Sequence, residues 1–278
     1  MSYASGGAAA LDYFACRYGD ARVKFRGPKR PTDGDYIAFL GGTETYGRFI
    51  PRPYPSLVEE RLGIPCVNFG WLNAGPDAFL HDQSVIEIAQ RARAVVIQVP
   101  GAEKLSNRYY AVHPRRNDRF LEASGMMRKV FPTADFTEFH FVRHMLRRLS
   151  EVDPIRFAIL VAELQQAWVA RMGALLRQFE VPVLLHWFSD NPLPEQAGSE
   201  HTGRPMFVGR DMIDAIAPRP VDVIDCTASE RARAAGTTGM VFTQKEAAAA
   251  AEVLGPVAHT EAAERLSAHL SDVLALQM

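Results

Sequence analysis

The sequence has few cysteines, no long apolar run and no excess of either charge. Its 278 residues include only Cys16, Cys66 and Cys226, which are too few and too scattered for a disulfide framework or a zinc cluster. No segment approaches the roughly 18 apolar residues of a membrane-spanning helix, and the N-terminus lacks a secretory leader pattern. We therefore expect a cytoplasmic protein without a membrane span, a bound metal or another cofactor.

The charge balance limits the possible partners. The chain has 31 Lys and Arg residues against 32 Asp and Glu residues, a net charge of -1, so no global field attracts nucleic acid or an anionic membrane. Hydrophobic residues make up 47% of the chain, as in a globular domain, and no linker divides it. We expect a small molecule or a glycan as the partner, and the sequence predicts no particular oligomeric state.

Short apolar segments alternate with helical patterns after an irregular N-terminal arm at residues 1–34. The segments typical of buried parallel strands are 36–40, 65–69, 94–99, 181–188 and 221–225, and the clearest helical patterns are 54–62, 77–93, 154–179 and 260–276. Residues 35–278 are therefore predicted to form a doubly wound, flavodoxin-like three-layer α/β sandwich with strand order 2-1-3-4-5. An insertion with three helical patterns, at residues 117–180, should form a cap or a side layer.

In this strand order, a ligand site lies beyond the carboxyl ends of the first and third strands. The loop after the first strand reads Gly-Gly-Thr-Glu-Thr-Tyr-Gly at residues 41–47. Its glycines let the backbone approach a ligand, and Gly42, Thr43 and Glu44 offer an amide, a hydroxyl and a carboxylate. The loop lacks the Gly-Lys-Ser/Thr ending of a phosphate-binding P-loop. A glycine-rich turn with a threonine cap is the structural alternative.

The loop after the third predicted strand, residues 100–118, combines arginines with tyrosines. Its candidate ligand-binding residues are Gly101, Asn107, Tyr109, Tyr110, Arg115 and Arg116. Guanidinium groups can hold a carboxylate, phosphate or sulfate through paired hydrogen bonds, and they stack on flat rings. The alternative is a polar network that fixes an irregular loop against the insertion.

Three segments together resemble the SGNH/GDSL hydrolase superfamily: Gly-Gly-Thr at 41–43, Asn-Phe-Gly at 68–70, and His259 before the last helical pattern. The resemblance covers the sheet but not the arm or the insertion. It implies that Thr43 takes the place of the nucleophilic serine, Gly70 that of an oxyanion-hole glycine and His259 that of the catalytic base.

The chain departs from that family at several positions. Gly42 replaces the motif aspartate, and Pro256 stands where the aspartate that orients the histidine is expected. Asp225 or Asp190 is a candidate to orient His259 instead. Gly-Ala-Glu-Lys at 101–104 replaces the family's Gly-x-Asn-Asp segment, which leaves Asn107 as a displaced candidate for the oxyanion hole.

Over its whole length the chain also resembles a family of bacterial proteins labelled only as a domain of unknown function. The shared passages are Phe-Arg-Gly-Pro at 25–28, the loop at 41–47, and the Ser-Asn-Arg-Tyr-Tyr to Arg-Asn-Asp-Arg-Phe passage at 106–120. This second resemblance implies no activity.

Three functions remain open at this point. The first is an SGNH-like hydrolase or acyltransferase that acts on an acyl ester, with O-acetyl groups of a carbohydrate among its candidates, in which Thr43 attacks and His259 is the base. The second is a catalytically inactive SGNH-like protein that binds an anionic glycan or metabolite through Tyr109, Tyr110, Arg115 and Arg116. The third is a group transferase with a phosphorylated or sulfated donor, in which Glu44 or His259 is the base.

Overall fold

A computed structural model describes residues 11–199, 203–216 and 221–276 of the chain. These residues contain the strands β1 (Ile37–Gly41), β2 (Cys66–Gly70), β3 (Ala94–Gln98), β4 (Tyr110–His113), β5 (Arg116–Ala123), β6 (Val183–Trp187) and β7 (Asp222–Asp225). Five of them form a parallel sheet in the order β2-β1-β3-β6-β7. Since β6 and β7 are the fourth and fifth strands of this sheet, the predicted order is confirmed.

The helices of the described residues cover both faces of the sheet. They are α1 (Thr43–Tyr46), α2 (Tyr54–Leu62), α3 (Pro76–Leu80), α4 (Gln83–Ala89), α5 (Gly125–Val130), α6 (Val142–Val152), α7 (Pro154–Leu176), α8 (Arg210–Ile216), α9 (Glu230–Ala235), α10 (Ala247–Ala250) and α11 (Pro256–Ala275). Alternate residues of β1 point to opposite faces: Ala38 and Leu40 pack with α4, α7 and α8, whereas Ile37 and Phe39 pack with α2 and α11. Two hydrophobic cores therefore enclose the sheet.

Two of the predicted helices divide or begin differently in the structure. The single helix expected over 77–93 is two helices, because the carboxylate of Asp82 accepts a hydrogen bond from the amide of Val85 and so begins α4 anew. Asp77, the first residue of the predicted helix, lies inside α3, and Gly75 occupies the cap position. The last helix begins at Pro256, four residues earlier than predicted, so His259 lies in its first turn.

The insertion predicted as helical begins as a strand. β4 and β5 form an antiparallel hairpin with irregular register, and the helices α5, α6 and α7 follow it. In α7, the apolar side chains of Leu160, Leu164 and Trp168 are fully buried in the core, so this part of the insertion is a layer on the sheet. Among the described residues, none of the helices has the length and apolar composition of a membrane-spanning segment.

Candidate ligand-binding cleft

A cleft of about 200 Å³ opens at the carboxyl edge of the sheet. The loops after β1, β2 and β3 supply one part of its lining, and more distant segments supply the rest. The polar and charged residues that line it are Thr43, Glu44, Asn73, Gln98, Glu103, Lys104, Asp118, Arg143 and Arg204, together with the glycines Gly42 and Gly101. The cleft therefore lies where the strand order predicts it.

Gln98, the last residue of β3, fixes the loop after β1. Its Oε1 atom accepts hydrogen bonds from the amide of Gly42 at 3.0 Å and from the hydroxyl of Thr45 at 2.6 Å. Its Nε2 atom donates to the carboxylate of Glu44 at 3.0 Å. Because one amide side chain holds three residues of the loop, the backbone at the base of the cleft is rigid, and the Gly42 amide already has a partner.

Gly70, the expected oxyanion glycine, has a packing role in the structure. Its amide donates to Oδ1 of Asn68 at 2.8 Å, and Nδ2 of Asn68 donates to the carbonyl of Thr45 at 2.7 Å. A Cβ atom at Gly70 would lie 2.2 Å from the backbone nitrogen of Tyr46. Glycine is thus required here because β2 passes directly beneath α1.

Thr43 lines the cleft, but its hydroxyl is engaged with Asn73. The Oγ1 atom of Thr43 accepts a hydrogen bond from the backbone N–H of Asn73 at 3.1 Å. It also lies 3.3 Å from the side-chain Oδ1 atom of Asn73, to which it can donate. Asn73 has a positive φ of 58°, a conformation that asparagine tolerates better than most residues. The Thr43 hydroxyl therefore ties the loop after β1 to the loop after β2.

His259 is fully buried beside the cleft. Its Nδ1 atom accepts a hydrogen bond from the Tyr54 amide at 3.1 Å, and its ring stacks on the Tyr54 ring and meets Phe188 edge-on. Burial, with smaller effects of Arg26 and His186, lowers the pKa of His259 to about 3. The imidazole is therefore neutral, and it does not line the cleft that Thr43 lines.

Asp225, the candidate to orient the histidine, is occupied elsewhere. Its Oδ1 atom accepts hydrogen bonds from the amide and the hydroxyl of Thr227, at 2.9 and 2.5 Å. Burial raises the pKa of the other candidate, Asp190. Across the described parts of the chain, no hydrogen bond joins Thr43, His259 and Asp225 to one another.

The loop at residues 100–118 places only some of its predicted ligand-binding residues in the cleft. Tyr109 and Tyr110 are buried, and the Tyr110 hydroxyl donates to the carbonyl of Glu103 at 2.9 Å. Oδ1 of Asn107 accepts from the amide of Tyr109 at 2.9 Å and so closes a turn. Arg115 and Arg116 lie at the exposed end of the β4–β5 hairpin, outside the cleft.

The charges of the cleft come largely from residues that sequence reasoning missed. Arg143, in α6, and Arg204 both pair with the exposed carboxylate of Glu252, Arg143 at 3.7 Å. Burial and the neighbouring charge of Arg204 lower the pKa of the Arg143 guanidinium. Two cations thus lie close together with one solvated carboxylate between them.

Two carboxylate oxygens at the cleft lack partners. Glu103 is 4% exposed, and its Oε2 atom is buried without a hydrogen bond in the described structure. The same holds for Oδ1 of Asp118. Native proteins rarely leave such atoms unsatisfied, because a buried polar group without a partner is costly. In the described residues, no group of three or more His, Cys, Asp or Glu side chains is arranged to hold a metal ion.

Residues 1–274 match the model of one protein family, described as "Domain of unknown function (DUF6473)". Comparison with curated proteins finds no matching sequence.

Several solved structures are similar to this chain. One is a carbohydrate esterase family 2 enzyme with a carbohydrate-binding domain from Corynascus thermopiles (Myceliophthora fergusii), at 10% identity and a TM-score of 0.43, with 90% of this chain and 69% of that chain covered. Another is the lipase Lip_vut3 from a goat rumen metagenome, at 13% identity and a TM-score of 0.43, with 84% and 96% covered. A third is a family two carbohydrate esterase from Clostridium thermocellum in complex with cellohexaose, at 13% identity and a TM-score of 0.42, with 91% and 67% covered.

Proposed function

We propose a binding function for this chain, which belongs to the family described as "Domain of unknown function (DUF6473)". Its cleft binds a small anion that also carries hydroxyl groups, such as a sugar acid or a phosphorylated or sulfated sugar. One observation supports this proposal most strongly. The same cleft contains two adjacent guanidinium groups and two carboxylate oxygens that have no hydrogen-bond partner among the described residues.

The two arginines of the cleft indicate that the ligand carries an anionic group. Arg143 and Arg204 repel each other, and they share the carboxylate of Glu252, whose side chain is 60% exposed. An exposed ion pair stabilises little, so a carboxylate, phosphate or sulfate can compete with Glu252 for these guanidinium groups. Arginine offers such anions paired, directed hydrogen bonds.

The carboxylates of Glu103 and Asp118 indicate that the same ligand carries hydroxyl groups. The unpartnered oxygens of Glu103 and Asp118 accept hydrogen bonds but cannot donate them when ionised. A ligand hydroxyl would supply the missing donor. The cleft, at about 200 Å³, is smaller than the roughly 300–1,000 Å³ of pockets for drug-sized ligands, which favours a ligand of one ring or a short chain.

An acyl-ester hydrolase with an SGNH-like fold is the second candidate. It is favoured by one observation: Thr43 lines the cleft at the start of α1. The amides of Gly42 and Gly70 already have acceptors, and the Thr43 hydroxyl is held by Asn73 rather than by His259. Hydrolysis through these residues requires a rearrangement of both the hydroxyl and the histidine, so binding without this chemistry is the better supported function.

A thermal-shift screen tests the proposal. The panel comprises sugar acids, sugar phosphates and sugar sulfates, each with its neutral sugar and with acetate, phosphate or sulfate alone. At 100 times Kd, a bound ligand adds about 2.7 kcal/mol, which raises Tm by about 5 °C or more in a chain of this size. We expect shifts only from compounds that combine the anion with hydroxyl groups.

The variants Arg204→Gln and Glu103→Leu should lose this response, whereas Arg17→Gln, which removes an exposed arginine outside the cleft, should keep it. A panel without any concentration-dependent shift contradicts the proposal. Turnover of p-nitrophenyl acetate by the parent chain that is abolished in Thr43→Ala would support the hydrolase instead.

A further inference from the structure

A second, open groove lies on the β4–β5 hairpin. Its volume is about 530 Å³, and its lining includes Trp71, His113, Arg115, Arg116, Arg119 and His140. None of these residues lines the cleft described above. The groove is therefore a separate feature of the surface, and the proposed function of the cleft does not account for it.

Among the described residues, no acidic side chain forms an ion pair with the arginines of the groove. No carboxylate is part of its described lining, and across the described residues the side chains of Arg115 and Arg116 form no ion pair and no hydrogen bond. Arg119 lies over the ring of Phe141 at 4.1 Å. Some exposed arginines elsewhere have acidic partners, as in the Arg61–Glu264 pair at 3.0 Å. Uncompensated charge of one sign in a groove raises the local concentration of an oppositely charged ligand.

The indole ring of Trp71 lies beside these arginines. The indole Nε1 of Trp71 donates to the carbonyl of Arg115 at 2.7 Å, which fixes the ring beside the arginines. Leu121, which also lines the groove, is 53% exposed. An indole combines a large rigid apolar surface with a polar edge, so it provides a platform for the apolar face of a sugar ring.

We infer that this groove binds an anionic polysaccharide, with sulfate or carboxylate groups held by Arg115 and Arg116 and a sugar ring against Trp71. Nucleic acid is the less suitable polyanion. The affinity of a protein for nucleic acid depends on neutralising many regularly spaced phosphates, whereas this chain has a net charge of -1 and the described lining of its groove offers only three arginines.

Titration with dextran sulfate, with neutral dextran as the matched ligand control, tests this inference. The parent chain should bind dextran sulfate at low salt and should not bind dextran. The double variant Arg115→Gln/Arg116→Gln should bind at least about tenfold more weakly, because it loses two charge-assisted hydrogen-bonding groups. The variant Arg17→Gln/Lys245→Gln removes the same charge from exposed positions outside the groove and should bind within about twofold of the parent, since its effect is long-range and screened.

Three results would overturn the inference. The first is equal affinity of the parent and the Arg115→Gln/Arg116→Gln variant at parental Tm. The second is an equal loss in both double variants, which would mean that only net charge matters. The third is tighter binding of single-stranded DNA than of dextran sulfate at matched charge, which would assign the groove to nucleic acid.

Discussion

The Nδ1 atom of His259 accepts a hydrogen bond from the backbone N–H of Tyr54 across 3.1 Å. This geometry places the proton of the neutral ring on Nε2, because Nδ1 must be unprotonated to accept. Nε2 is buried and has no partner in the described structure. A carboxylate cannot orient this ring in the usual way, since the nitrogen that would donate to it is already an acceptor. His259 is thus a structural side chain in this conformation.

Buried neutral histidines make the stability of the fold depend on pH. Burial lowers the pKa of both His186 and His259 to about 3, from an ordinary value of 6.5. Below pH 6.5 these two histidines therefore take up protons in the unfolded chain, whereas in the folded chain they stay neutral until the pH approaches 3. The stabilising contribution is complete above pH 6.5 and is lost as the pH falls toward 3, by about 1.4 kcal/mol per pH unit for each histidine. Urea denaturation at several pH values measures this slope.

The variant His186→Leu isolates the contribution of one ring. Neither ring nitrogen of His186 has a hydrogen-bond partner among the described residues, so an apolar replacement removes the titration without breaking a bond. We expect the slope between pH 6 and 4 to fall by about 1.4 kcal/mol per pH unit. The variant His269→Leu, at an exposed position of α11, is the control and should keep the parental slope. A His186→Leu slope equal to that of the parent would show that His186 is protonated in the fold.

Gln98 should be the most important polar side chain for the stability of the cleft. The variant Gln98→Ala leaves the Gly42 amide buried without its acceptor, and it removes one of the two side-chain partners of the buried Thr45 hydroxyl, the other being the Tyr54 hydroxyl. We expect the free energy of unfolding to fall by about 2–4 kcal/mol. Gln90→Ala removes an exposed hydrogen bond to Gln178 and should cost less than about 1 kcal/mol. Similar losses in both variants would contradict the role given to Gln98.

We expect position 70 to tolerate no residue other than glycine. In Gly70→Ala the new Cβ atom would meet the backbone of Tyr46 at 2.2 Å and that of Thr45 at 2.6 Å, and backbone cannot move aside as a flexible side chain can. We expect a loss of about 3 kcal/mol or more. Gly125→Ala, in the first turn of α5 with open space around it, should instead be neutral or stabilise by up to about 1 kcal/mol. Parental Tm in Gly70→Ala would contradict the close packing of β2 beneath α1.

The sheet was predictable because its strands are short, continuous apolar segments separated by helical patterns. The hairpin at 110–123 was not, since β5 reads Arg-Asn-Asp-Arg-Phe-Leu-Glu-Ala and shows no clean alternation of apolar and polar residues. The location of the cleft followed from the strand order, which selected Gly42, Thr43, Glu44 and Gly101.

The charges of the cleft did not follow from the sequence, because Arg143 and Arg204 lie far from the loops in sequence and reach the cleft only through the packing of the chain. Gln98 gave one local signal, as a lone polar residue at the end of an apolar strand. The burial of His259 depended on where α11 begins, and helix ends are the boundaries that sequence patterns fix least well.

The structure of a complex with the best ligand from the thermal-shift screen tests most directly whether the cleft binds a hydroxylated anion. We expect the anionic group to lie about 3 Å from the guanidinium nitrogens of Arg143 or Arg204, and a ligand hydroxyl to lie at hydrogen-bond distance from Oε2 of Glu103. The Thr43 hydroxyl should still be bound to Asn73. A ligand outside this cleft, or an acyl group covalently attached to Oγ1 of Thr43, would contradict it.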